Sequence, residues 1–156
     1  MLLGYYEQLQ RIVNRYVDAG EIWPATTREM ASWAIRQGLW APQRSAVVGL
    51  CAEELSRAMR GEYVVDPQGR RIRAKHAARM NRNGEQLVMW DDIKTASREH
   101  MELAFQQRRQ QIVGDCRQLK MDVDSYNENN NPEEPIQLVF DFRLDLIERE
   151  LETSVV

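Results

Sequence analysis

The sequence predicts an α+β fold, mainly α: an N-terminal three-helix unit with a β-hairpin, then a long C-terminal helix and a terminal strand. Three observations predict it. Up to Gly61, apolar residues recur at three- and four-residue steps, the spacing of amphipathic helices. Beyond Gly61 the period falls to two, and turn residues punctuate it. From Ser97 a single helical stripe returns, and IQLVFDF at 136–142 then alternates once more.

Residues 2–19 read as the first helix, with Leu2, Leu9, Ile12, Val13, Tyr16 and Val17 on one stripe. Gly20 suits its C-terminal cap, and Pro24 prevents continuation. Thr26 and Glu29 have the spacing of a capping box, so a second helix starts there and ends at Gly38. A third helix, 43–60, is expected to bury Val47, Val48, Leu50, Cys51, Leu55 and Met59. EYVV, DPQG and RRIRAKHAARM then read as strand, turn and strand, with Asp66, Pro67 and Gly69 at the positions a type I turn favours. NRNG at 81–84 is a second turn, and EQLVMW at 85–90 a third strand. Residues 97–128 form one long helix with Ser97 as N-cap. Its stripe is Met101, Phe105, Ile112, Cys116, Leu119, Val123 and Tyr126, with Arg108 in the seat where the stripe would continue. From Cys116 onward the steps are those of a coiled-coil seam. The acidic RLDLIERELE ends the chain as a short helix. Two domains are expected, 1–96 and 97–156.

With 43% hydrophobic and 29% charged residues, the composition is that of a globular protein. No apolar run is long enough to span a bilayer, and MLLGYYEQLQ does not read as a signal peptide, so a cytoplasmic location and no membrane are expected. Charge is unevenly spread. The net charge is -3, yet residues 57–82 carry eight Arg or Lys against two Asp or Glu, and residues 121–156 carry two against ten. In an extended segment Arg71, Arg73, Lys75 and Arg79 share one face, opposite Ile72, Ala74, His76, Ala78 and Met80. Cations in a row repel one another, and a polyanion relieves that repulsion. Duplex DNA presents a negative charge every ~1.7 Å of its axis.

Three helices followed by a hairpin, with the TTREMASWAIRQG helix-turn and the EYVVDPQGRRIRAKH hairpin, resemble a winged helix-turn-helix domain over residues 2–82. The resemblance implies that 43–60 is a recognition helix whose Gln43, Arg44 and Ser45 read base edges, with Arg57 and Arg60 nearer the phosphates. The hairpin would be a wing on the backbone, contributing Arg70, Arg71, Arg73, Lys75, Arg79 and Arg82. Glu53 and Glu54 depart from that pattern, because phosphate repels them unless they turn away.

Other chemistries find less support. His76 falls on the apolar side of its strand, as a hydrogen-bonded structural residue does, and His100 reads as a surface residue. Asp91, Asp92, Glu99 and Glu102 are dense enough to suggest Mg²⁺, but no third ligand is placed. Cys51 and Cys116 have no metal-ligand spacing, and Trp23, Trp33, Trp40 and Trp90 read as core. Neither a glycine-rich phosphate loop nor a nucleophile elbow occurs. The expectation is a non-enzymatic, sequence-specific double-stranded DNA-binding protein without cofactor, catalytic residues or metal. It would be a bacterial transcriptional regulator or DNA-organising protein, a homodimer through Met101, Phe105, Ile112, Cys116, Leu119 and Val123. The alternative is a protein-interaction module within a larger complex, using the acidic tail or the terminal strand.

Overall fold

A computed structural model describes residues 4–43 and 46–154. Its described elements run α1 (Tyr5–Asp18), α2 (Thr27–Arg36), α3 (Val47–Arg60), β1 (Tyr63–Val65), β2 (Arg71–Arg73), β3 (Lys75–Arg82), β4 (Glu85–Asp92), α4 (Arg98–Asn130) and α5 (Arg143–Ser154). The fold is α+β and mainly α, as the hydrophobic periods predict. The chain divides into two compact units, Met1–Arg57 and Ala58–Val156. The boundary read from the sequence at 96/97 falls inside the second unit, where the start of α4 lies on β3.

In the first unit α1 packs on α2 around Tyr16, Trp33 and Ala34, with Ile12, Met30 and Leu39 against them. The Tyr16 and Trp33 rings meet edge to face at 5.4 Å, an arrangement the ring quadrupoles favour. The Tyr16 hydroxyl donates to the Ile22 carbonyl at 2.9 Å. Both α2 ends follow the residues that flank them. Thr26 Oγ1 accepts from the Glu29 N–H and Glu29 Oε2 accepts from the Thr26 N–H, so the capping box closes. At the other end Gly38 takes φ +70°, letting the Leu39 N–H reach the Ala34 carbonyl and its own N–H reach Ile35. That is a Schellman motif.

The expected burial of α3 is not found. Val47, Val48, Leu50 and Leu55 are 60%, 81%, 49% and 59% exposed, and Cys51 is exposed. A helical apolar stripe shows that a helix can bury one face, not that a neighbour is there to cover it. Trp23 is likewise 53% exposed rather than core.

The second unit holds two antiparallel hairpins that share the extended segment 71–82, in which a bend at Ala74 separates β2 from β3. β2 pairs with β1, Val64 opposite Ile72, and β3 pairs with β4, Ala78 opposite Met89. The partner changes at Ala74, whose N–H donates to the Glu62 carbonyl while its own carbonyl accepts from Ile93. Gly69 N–H bonds the Asp66 carbonyl, closing the expected turn. Asn83 and Gly84 both have positive φ, as a two-residue type I′ connection requires. Alternation holds through the shared segment: Ala74, His76 and Ala78 are buried.

Against this strand lies the start of α4, with His100 and Ala104 buried. His100 is therefore not the surface residue expected. Its ring nitrogen Nε2 donates to the His76 carbonyl at 2.9 Å, and His76 Nε2 donates to the Arg73 carbonyl at 2.9 Å. A carbonyl can only accept, so both imidazoles carry hydrogen on Nε2. Ser97 caps α4 as expected, accepting from the His100 N–H. At the far end Asn131 turns left-handed and Pro132 follows. The segment read as a terminal strand, 136–142, has no partner strand among the described residues and makes no ladder with them. Its alternation lacks an edge to pair with.

Candidate nucleic-acid interface

The basic segment 70–82 is extended, and the structure sorts its cations into compensated and uncompensated ones. Arg70 Nε lies 2.7 Å from Asp66 Oδ2 across the turn. Lys75 Nζ lies 3.1 Å from Glu62 Oε2 and 3.8 Å from Asp92 Oδ2. Arg70 thus meets a carboxylate of its own turn, and Lys75 meets one just before β1 and one at the end of β4, so Lys75 interrupts the expected row of open cations. Parity alone places Lys75 beside Arg73, but pairing to β4 sets Asp92 directly opposite it.

None of the ion pairs among the described residues involves Arg71, Arg73, Arg79 or Arg82. Tyr63 pairs opposite Arg73. The Arg71 guanidinium carbon sits 4.1 Å from the centre of the Tyr63 ring, a cation–π contact. From α4, Arg108 comes near enough to this pair for their charges to act on it. Its guanidinium is held below the ordinary value, first by loss of surrounding water and then by the Arg73 charge, while Tyr63 acts in the opposite direction. Arg71 thus stacks on Tyr63, Arg73 stands opposite it in the register, Arg108 lies within electrostatic reach of both Tyr63 and Arg73, and no carboxylate among the described residues pairs with any of the three arginines. Arg79 and Arg82 lie on the second hairpin and are exposed.

The remaining candidates scatter. Arg44 and Ser45 lie outside the described residues. Gln43 is exposed and lines a cleft of about 360 Å³ in the first unit with Arg11, Arg15, Tyr5 and Trp40. Arg57 is exposed, and Arg60 lies over the Trp90 ring at 5.9 Å. The first turn of α3 presents Val47 and Val48 rather than polar groups. Of the residues read as a dimerisation stripe, Met101 is half-buried at the packed end of α4, and Phe105 meets the His76 ring edge to face at 5.4 Å. Ile112, Cys116, Leu119 and Val123 lie farther along the helix. Among the described residues no group of His, Cys, Asp and Glu is placed to hold a metal ion, and no helix is long and apolar enough to cross a membrane.

Compared with known protein families, curated proteins and solved structures, the chain matches none.

Sequence reasoning misses Tyr63, whereas Arg108, beside Arg109 and a run of Gln, reads either as a further phosphate contact or as an ordinary exposed helix position. Arg108 left a trace in the sequence, an arginine standing in an apolar stripe. Tyr63 left none, because only the register across DPQG sets it opposite Arg73.

Proposed function

We propose that the chain binds duplex DNA through its phosphate backbone, without catalysis, using Arg71, Arg73 and Arg108 around Tyr63 with Arg79 and Arg82 beside them. The observation that supports this reading is a run of arginines on one extended segment, Arg71, Arg73, Arg79 and Arg82, none in an ion pair among the described residues, with Arg71 stacked on Tyr63 and Arg108 within electrostatic reach of Arg73. Like charges brought together cost folding energy, and beyond the Tyr63 ring no partner among the described residues is seen to offset it. Counterion release from a phosphate backbone does. Lys75 and Arg70, already paired, contribute little. The role this fits is that of a DNA-organising or regulatory protein.

A salt titration of duplex binding tests it. Replacing Arg71, Arg73 and Arg108 with Ala flattens the slope of log K against log salt by about 0.9 for each phosphate that the chain ceases to neutralise. An unaltered chain that fails to bind duplex DNA at low salt overturns the reading. The exposed Val47, Val48, Leu50 and Leu55 of α3 favour a second reading, a protein-interaction module. It predicts that polar replacement of Val48 and Leu55 abolishes partner capture and leaves duplex binding unchanged.

A further inference from the structure

We infer that a second copy of this chain covers the outer part of α4, with two helices packed antiparallel about Leu119. This proposal shares only Arg108, at the edge of the packed stretch, with the phosphate contacts proposed above.

α4 has 33 residues, a length of about 50 Å at 1.5 Å per residue. Packing on β3 uses only its start. From 108 to 126 no residue is buried, and only Cys116 and Val123 are even half-buried. Ile112, Leu119 and Tyr126 stand 53%, 46% and 45% exposed. These five positions follow one another in steps of four, three, four and three, the seam of a two-stranded coiled coil. Asn127 ties Ile136 to the helix, yet the stripe stays open.

The exposed surface leaves room for such a partner. The chain exposes 13955 Å². Two separate compact bodies with the masses of its two units would together expose about 9,700 Å². The surplus exceeds one copy's share of an obligate dimer interface, about 1,000–2,500 Å².

Charge sets the direction. Residues 108–120 hold Arg108, Arg109 and Arg117 against Asp115, with Lys120 already held by Asp124 of its own helix at 2.7 Å. Residues 121–130 hold Asp122 and Glu128 besides the paired Asp124, and no cation. A parallel pair sets each block against its like. An antiparallel pair sets the basic block of one copy beside the acidic block of the other. It also places Ile112 against Tyr126 of the second copy, Cys116 against Val123, and Leu119 against itself, so one patch serves both copies as a two-fold interface does.

The test uses the full chain. Sedimentation equilibrium is expected to show a dimer, and Leu119→Asp a monomer with unchanged helical circular dichroism. Should Leu119→Asp fail to fold, cysteine pairing decides. In a Cys51→Ser, Cys116→Ser background, Leu119→Cys is expected to cross-link to itself on oxidation. Ile112→Cys should cross-link only when mixed with Tyr126→Cys. A chain that remains monomeric overturns the proposal. So does Ile112→Cys linking efficiently to itself, which marks a parallel pair, or a dimer dissolved by Val48→Asp but not through α4.

Discussion

The side chain of Gln107 takes both backbone groups of Arg79: Oε1 accepts its N–H at 2.7 Å and Nε2 donates to its carbonyl at 3.0 Å. Farther along the same helix Asn127 does the same to Ile136, accepting at 3.0 Å and donating at 2.8 Å. A carboxamide carries one acceptor and a donor pair, so it can stand in for a neighbouring strand. At Arg79 it occupies the edge of β3 that β4 leaves free, where unpaired backbone groups invite pairing with another chain.

Gln107→Ala is expected to cost about 1–2 kcal/mol, the net worth of two hydrogen bonds. Hydrogen exchange at the Arg79 amide should quicken more than at residues bonded to β4. Unchanged exchange there refutes the clamp. Asn127→Ala should free the Ile136 amide and leave the helicity of α4 intact.

His100 joins α4 to β3 through a buried bond to the His76 carbonyl. His100→Ala leaves that acceptor without its partner and opens a void, costing about 2–3 kcal/mol in urea denaturation. His100→Gln, which can donate to the same carbonyl, should recover part of the loss.

Gly38→Ala is expected to destabilise the first unit by about 1 kcal/mol, because an L side chain at positive φ is strained. No atom crowds the position, so the loss measures backbone conformation alone. A neutral result would show that the Schellman turn is not maintained in solution.

The Asp66 carboxyl is held below its ordinary value of 3.8, chiefly by the Arg70 backbone N–H, with the Arg70 side chain and the Gln68 N–H adding to it and partial desolvation opposing. Its contribution to the turn is therefore complete above that ordinary value and is lost as pH falls through the lower folded value. The Arg70 amide resonance, followed by NMR, should titrate with a midpoint under 3.8. In Asp66→Asn that step should vanish.

Lys75 provides the control for the interface. Because Glu62 and Asp92 already hold it, Lys75→Ala should leave the salt slope of duplex binding nearly unchanged. Arg73→Ala should reduce it by about 0.9. Equal effects would mean that binding follows total charge, not the cluster at Tyr63.

The sequence by itself determined the local elements: the Thr26–Glu29 box, Gly38, the Asp66 and Asn83–Gly84 turns and the Ser97 cap all act within a few residues, so their chemistry is legible in order. It also determined which strand face is apolar, since alternation follows from backbone geometry. Only the tertiary structure decided which charges are cancelled, because register sets Asp92 against Lys75 and helix packing brings Arg108 within electrostatic reach of Arg73. Burial was decided there too: the apolar stripe of α3 stays exposed and His100 lies beneath β3, because burial depends on the neighbour and not on the residue.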